Sequence, residues 1–198
     1  MTVAAILLAA GASERMGRPK ALLPWTGGLT LVEYQVEQLL GAGVEAIEVV
    51  LGSDADEIIP LIAGDNVEPI VNRRWREGRA GSVRTGATAV PRGTDTAVVV
   101  NVDQPRPANV YRRLIDAHRD RAAAISRPTH GDAHGHPIVL GEAALGEARS
   151  VTDEKMGLRA VVERHRHELL EVPFDDPVVL LDLNTPEEYE RALAAFER

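Results

Sequence analysis

The sequence has no cysteine, which excludes disulfide bonds and metal sites built from thiolates. It also lacks an apolar run of about 18 or more residues, the length that a membrane-spanning helix requires. Basic residues are in deficit, with 22 lysines and arginines against 30 aspartates and glutamates, whereas a nucleic-acid-binding protein normally presents a basic face. These absences predict a cytoplasmic protein that binds neither nucleic acid nor a membrane.

Apolar segments of strand type alternate with segments of helical period along the chain, a pattern that predicts βα units around a mostly parallel sheet. The predicted strands cover residues 3–8, 46–51, 67–71 and 96–102, with less regular strands near 123–126, 137–140 and 178–181. The predicted helices cover residues 30–40, 55–62, 82–89, 107 to about 121, 157–167 and 185–196. No repeat or linker interrupts the 198 residues, so we expect one α/β domain.

Small residues and positive charges share the loop that follows the first predicted strand. Ligands of open α/β sheets bind outside the carboxyl ends of the strands, so this loop is expected to contact one. Residues 9–11 are small and let a ligand approach the backbone, and the amide groups of residues 11–13 can face an anion. Arg15 and Lys20 add charged donors, which favours a polyphosphate ligand. A solvated connection with incidental charges is the alternative, since the spacing matches neither GxxxxGK[ST] nor GxGxxG.

The segment LAAGASERMGRPK, residues 8–20, resembles the signature loop of the MobA/MocA-like nucleotidyltransferases. Further family-like segments follow in order: NRRWREGRAGSVRTG at 72–86, NVDQP at 101–105, GHP at 135–137 and DLNTPEEY at 182–189. The Asp-Gln-Pro form is similar to the molybdenum cofactor cytidylyltransferase branch. The resemblance implies a three-layer α/β/α structure with the Rossmann-like fold of nucleotide-diphospho-sugar transferases, and a single nucleotidyltransferase domain over residues 1–198.

The resemblance implies that CMP is transferred from CTP to a molybdopterin-type molybdenum cofactor, with release of pyrophosphate. The main task in such a reaction is to stabilise charge on phosphate oxygens. The resemblance implies that Lys20, Arg15 and Asp103 are the catalytic residues. A molybdoenzyme is a candidate protein partner.

Two aspartates are candidate ligands of Mg²⁺, an ion that prefers oxygen ligands. Asp103 directly follows the predicted strand 96–102, at a sheet edge. Asp182 closes the apolar run VVLL, and the resemblance implies it as the second metal carboxylate. The alternatives are a turn or helix cap for Asp103 and a cap of the last helix for Asp182.

The resemblance also implies which residues contact the two substrates. The implied nucleotide-binding residues are Leu8, Ala9, Ala10, Gly11, Ser13, Lys20, Asn72, Ser82 and Gly86. The implied acceptor-binding residues are Gln104, His136, Lys155 and Arg159.

Some of these residues also have plain structural alternatives. Ser82 can cap a helix and Asn72 can hold its own loop. Trp75 is predicted to be a packing anchor rather than a stacking platform for a ligand, because aromatic residues make up only 4% of the sequence. The motif HGDAHGH suggests zinc, but its glycine-rich spacing offers no helical face on which two imidazoles converge.

Three residues depart from the family pattern. Val102 stands where a glycine usually precedes Asp-Gln-Pro, Asn101 is atypical, and Arg79 adds charge to a loop that is often small or apolar. A second hypothesis therefore stays open, in which the fold serves an NAD(P)H-dependent reductase of a small heterocycle or a cofactor-carrying chaperone. The presence of Lys20 and the two aspartates favours transfer.

Overall fold

The computed structural model describes residues 2–11 and 16–197, so Ser13 and Arg15 lie outside the described residues. The strands are β1 (Thr2–Ala9), β2 (Ala46–Leu51), β3 (Val67–Val71), β4 (Thr94–Asn101), β5 (Ile125–His130), β6 (Ala133–His134), β7 (Ile138–Gly141) and β8 (Leu169–Pro173). The helices are α1 (Leu31–Gly41), α2 (Ala55–Ile58), α3 (Arg79–Ala89), α4 (Ala108–Asp120), α5 (Glu142–Ala148), α6 (Leu158–Arg164) and α7 (Pro186–Phe196). In these ranges no helix is both long and apolar enough to cross a membrane.

The strands form one mostly parallel sheet in the order β3-β2-β1-β4-β7-β5-β6, with β8 paired to β5. Strands β3, β2, β1 and β4 are parallel to one another, β7 is antiparallel to both β4 and β5, and β8 is parallel to β5. The parallel part places the carboxyl ends of β1 and β4 side by side. The predicted mostly parallel α/β fold is confirmed.

Strand β1 is buried on both faces and divides the core into two clusters. Val3, Ala5 and Leu7 face one cluster, together with residues of α1 and α4. Ala4 and Ile6 face the other cluster, together with residues of α3 and α5. Because side chains alternate along a strand, this pattern puts helices on both faces of the sheet and gives the three layers.

Several element boundaries differ from the sequence prediction. The predicted strand 178–181 is wrong, because Pro177–Leu180 forms a 3-10 turn in which the Asp176 carboxylate accepts the Val178 amide. Helix α3 begins at Arg79, earlier than the predicted residue 82. The predicted helix 55–62 is one short α-helix followed by a 3-10 turn. Helix α5 and strand β8 were not predicted. Among the described residues, no side chain caps the start of α5, and no glycine, proline, asparagine or aspartate separates α6 from β8.

Gly86 lies in the close contact between α3 and the sheet, a packing role that the sequence analysis did not assign; its role in nucleotide binding stays a prediction. A Cβ atom at Gly86 would overlap Ile6 Cγ2 and lie 2.9 Å from Val50 Cγ2. Both neighbours are fully buried strand residues, so they have little room to move. The glycine is therefore needed for helix packing.

We expect Gly86→Ala to destabilise the protein by about 1–3 kcal/mol, because the added methyl group overpacks the core. The measurement is urea unfolding followed by circular dichroism. Gly146→Ala in α5 is the matched control, since a Cβ there meets nothing within 4 Å; it is expected to be neutral or stabilising. Equal shifts for the two variants would contradict this account of Gly86.

Candidate active site

A cleft of about 860 Å³ opens at the carboxyl ends of β1 and β4. Its position agrees with the rule for ligand binding in open α/β sheets. The residues predicted from sequence that line it are Leu8, Ala9, Ala10, Gly11, Lys20, Ser82, Asp103, Gln104, His136 and Asp182. Segments that are far apart in the sequence thus contribute to one cleft.

Lys20 and Asp103 form an ion pair in the lining of the cleft. The Lys20 Nζ atom donates to Asp103 Oδ2 at 2.7 Å and to Asn184 Oδ1 at 3.3 Å. The two charged side chains are mostly buried, with exposed fractions of 12% and 21%. The pair connects the loop after β1 to the end of β4.

Asp182 lies next to this pair. The Leu183 amide donates to the Asp103 carbonyl at 2.9 Å, which fixes the two aspartate segments against each other. Burial and the negative charge of Asp103 raise the pKa of Asp182, while hydrogen bonds from Asn184 and Gln104 and the charge of Lys20 oppose the rise. The site therefore holds two carboxylates close together.

The capping alternatives for these aspartates are wrong. Helix α7 is capped by Thr185, which forms a capping box with Glu188. Helix α4 begins after Pro107 without a side-chain cap. Asp103 does lie in a turn, closed by the Gln104 amide donating to the Asn101 carbonyl at 3.0 Å, and both aspartates line the cleft.

The backbone of the loop that carries Asp103 is held by the side chain of Gln35 in α1, a residue that the sequence analysis missed. Gln35 of α1 is fully buried and donates to the carbonyls of Asn101 at 3.1 Å and Gln104 at 3.0 Å. Its own side-chain oxygen accepts the Tyr111 hydroxyl at 2.6 Å. The detectable signal was a glutamine on the apolar face of the first predicted helix.

The donor set of the site fits a divalent cation that is shared with a substrate. Within the described ranges, no group of three or more histidines and acidic residues converges to hold a metal by itself. Mg²⁺ commonly binds to one or two carboxylates and completes its coordination with water and substrate phosphates. Asp103 and Asp182 supply that number of carboxylates, and the zinc alternative for the HGDAHGH segment finds no support among the described residues.

Other predicted residues lie outside the cleft lining. Asn72 is buried and donates to Ser82 Oγ at 3.1 Å, so it holds its loop, which is the structural alternative. Lys155 lies in a 3-10 turn and Arg159 in the first turn of α6, and neither lines the cleft. Trp75 does line it and also packs against the core cluster of α3 and α5.

Comparison with known proteins assigns the family. The sequence profile described as the MobA-like NTP transferase domain matches residues 5–169. The chain belongs to this family. The resemblance seen in the loop after the first strand is thereby confirmed.

Three relatives show the range of the MobA-like proteins. Nicotine blue oxidoreductase of Paenarthrobacter nicotinovorans is 31% identical, over 96% of this chain and 96% of the relative. The molybdenum cofactor cytidylyltransferase of Escherichia coli strain K12 is 27% identical, over 93% and 92% of the two chains. The crystal structure of Rv0371c from Mycobacterium tuberculosis H37Rv superposes with a TM-score of 0.84 at 29% identity, over 98% of each chain. Rv0371c has also been solved in complex with manganese.

Two of the three residues that depart from the MobA-like pattern, Arg79 and Asn101, contact each other. Arg79 Nη2 donates to Asn101 Oδ1 at 3.0 Å, and Asn101 Nδ2 donates to Gln104 Oε1 at 2.8 Å. A polar chain therefore runs from the first turn of α3 through Asn101 to Gln104, a residue that also opposes the rise in the pKa of Asp182.

His136 lines the same cleft as Arg79, and its imidazole is neutral at physiological pH. Burial, together with the charges of Arg79 and Arg106, lowers the pKa of His136 from 6.5 to about 4, while the charge of Asp103 opposes this shift. At neutral pH the imidazole therefore carries one N–H donor and one acceptor nitrogen. Such a side chain can bind a polar group without adding charge.

We expect nitrogen-15 NMR to show that His136 stays neutral at pH 6 and titrates near pH 4. Arg79→Met should raise the pKa of His136, because it removes one of the cations that oppose protonation. Arg76→Met is the control, since Arg76 lines the same cleft but has no part in the shift. A His136 that titrates near 6.5 in the unmodified protein would contradict the described electrostatics.

Proposed function

We propose that this protein is a Mg²⁺-dependent nucleotidyltransferase that moves CMP from CTP to a molybdopterin-type molybdenum cofactor. The observation that carries the proposal is the convergence of Lys20, Asp103 and Asp182 at the carboxyl ends of β1 and β4. Membership of the MobA-like family supports nucleotidyl transfer. The similarity to a molybdenum cofactor cytidylyltransferase supports the choice of base and acceptor.

The proposed reaction is an in-line substitution at phosphorus. An oxygen of the acceptor's terminal phosphate attacks the α-phosphorus of CTP and forms a new P–O bond. The bond from the α-phosphorus to the oxygen that bridges it to the β-phosphate breaks, and pyrophosphate leaves with the electron pair. Negative charge is then spread over phosphate oxygens, so the site must supply cations and N–H donors.

Lys20 is the described residue best placed to supply that charge. Its ammonium group is held at the cleft by Asp103 and Asn184, so it does not have to be ordered when the substrate binds. The backbone of Ala10 and Gly11 lies at the same edge and brings no bulky side chain. Asp103 and Asp182 would hold Mg²⁺, which supplies further charge neutralisation when it is bound.

The acceptor side of the proposal rests on Gln104 and His136, which line the cleft. Gln104 is oriented by Asn101, and His136 is neutral at physiological pH. Lys155 and Arg159 are proposed to contact the acceptor's terminal phosphate, which requires the segment 152–159 to meet a bound acceptor at the cleft edge.

A second candidate function is an NAD(P)H-dependent reduction of a small heterocycle. The 31% identity to nicotine blue oxidoreductase over nearly the whole chain favours it. In that reaction a hydride leaves the nicotinamide for the heterocycle, and no phosphate ester bond is broken. It gives no role to paired carboxylates beside a lysine, which is why nucleotidyl transfer is the leading proposal.

We expect CTP with Mg²⁺ to stabilise the protein by about 2.7 kcal/mol when CTP is at a hundredfold excess over its dissociation constant. Thermal melting measures this, with GTP and NADPH in parallel. GTP should stabilise less, and the CTP effect should require the metal. Stabilisation by NADPH alone, with no response to any triphosphate, would favour the reductase.

We expect Lys20→Ala to lower the rate of pyrophosphate release about 100-fold to 1000-fold, the usual effect of losing one transition-state donor. Asp103→Asn should lower the rate and weaken its dependence on Mg²⁺. The other lysine of the sequence, Lys155, gives the contrast: Lys155→Ala should raise the KM for the acceptor and leave CTP affinity unchanged. Equal losses in the two lysine variants would contradict the assigned roles.

A further inference from the structure

Arg106 is a fully buried arginine that the sequence analysis did not single out. Its Nε donates to the His136 carbonyl at 3.0 Å, and Nη1 donates to the Pro105 carbonyl at 2.8 Å. Its Nη2 donates to the carbonyls of Val179 at 2.9 Å and Leu181 at 2.8 Å. One guanidinium therefore satisfies four backbone acceptors.

These four carbonyls belong to the segments that carry the candidate site. Pro105 follows Asp103 by two residues, and Leu181 directly precedes Asp182. The third segment presents the His136 side chain to the cleft. Backbone contacts also join these segments in pairs, such as the Leu183 amide to the Asp103 carbonyl, but Arg106 is bonded to all three.

The charge of Arg106 needs an explanation, because burying a cation without a counter-ion costs several kcal/mol of desolvation free energy. Within the described residues, Arg106 has no carboxylate at hydrogen-bonding distance. Burial lowers its pKa to about 10, opposed by Tyr111 and then by Asp182 and Asp103. The guanidinium is thus charged at neutral pH, and the carboxylates whose charges act on it are the two of the candidate metal site.

We propose that Arg106 is a positioning residue that sets the separation of Asp103 and Asp182 and offsets their mutual repulsion, so that the pair can receive a divalent cation. This inference rests on the proposed metal role of the two aspartates. Arg106 touches neither substrate nor metal; it acts by fixing the backbone on both sides. Lysine could keep the charge but could not satisfy four carbonyls from a planar fork.

The test measures Mn²⁺ binding directly, by the electron paramagnetic resonance signal of the free ion in the presence of CTP. Arg106→Lys should weaken Mn²⁺ binding about 10-fold to 100-fold, the effect typical of losing a group that orients metal ligands. Arg84→Lys is the matched control, because Arg84 also donates to a backbone carbonyl, that of Val151 at 2.9 Å, and does not line the cleft. It should leave Mn²⁺ affinity unchanged.

The outcomes separate this inference from the proposed function. If the unmodified protein binds no Mn²⁺ with CTP, the proposed metal role fails. If it binds Mn²⁺ and the folded Arg106→Lys variant binds equally well, the role of Arg106 is refuted.

A second measurement decides the matter if Arg106→Lys does not fold. In the unmodified protein, the Arg106 Nε–H signal in a nitrogen-15 NMR spectrum should shift when Mg²⁺ and CTP are added, because the same guanidinium is bonded to the Pro105 and Leu181 carbonyls, which lie beside the candidate metal carboxylates. The Arg149 Nε–H signal is the control, since it donates to the Ala87 carbonyl at 3.1 Å. An Arg106 signal that stays unchanged under saturating Mg²⁺ and CTP would overturn the inference.

Discussion

The ion pair between Lys20 and Asp103 connects the two parts of the chain from which the candidate site is built. Lys20 follows the loop after β1, and Asp103 follows β4, the neighbouring parallel strand. The pairing of these strands brings the two charges together, and Gln35 then fixes the backbone on the β4 side. A lysine and a carboxylate that are mostly buried together stay ordered, so their geometry is available to a ligand in advance.

The protein carries a net charge of −8, yet its cleft holds cations where phosphates are proposed to bind. Lys20 lies beside the two aspartates. Arg79 lies in the first turn of α3, and Arg76 lies just before that helix. The attraction between these cations and a phosphate acts over a short range, because salt in the solvent screens exposed charges beyond about 8–10 Å. Among the described residues, three cations and three aspartates line the cleft, so its local charge is less acidic than that of the whole chain and is compatible with an anionic nucleotide.

The sequence was informative about the fold and the motif-bearing residues. The alternation of apolar strands and helical segments predicted the parallel sheet, and the first predicted helix, residues 30–40, appears as α1, which begins with a capping box of Thr30 and Glu33. The positions of Lys20 and Asp103 at one sheet edge followed from the rule for carboxyl ends of strands, whereas Asp182 was implied only by the family resemblance. Those features depend on local patterns or on a general property of α/β sheets.

The parts that sequence could not predict depend on contacts between distant segments. Arg106 lies between two prolines in the sequence, and only the folded chain brings Val179 and Leu181, more than 70 residues away, to its guanidinium. The same contact explains the wrong strand at 178–181, since those carbonyls bond to an arginine rather than to a neighbouring strand. Gly86 was assigned to the nucleotide by motif, and the contact with Ile6 adds a packing requirement that the motif does not reveal.

The most direct test of the account is pyrophosphate release from CTP in the presence of a divalent metal, with and without molybdenum cofactor. The account predicts pyrophosphate formed in step with a CMP-linked cofactor, and none when the metal or the cofactor is omitted. Oxidation of NAD(P)H by a heterocyclic acceptor, with no requirement for a triphosphate and no pyrophosphate formed, would contradict it.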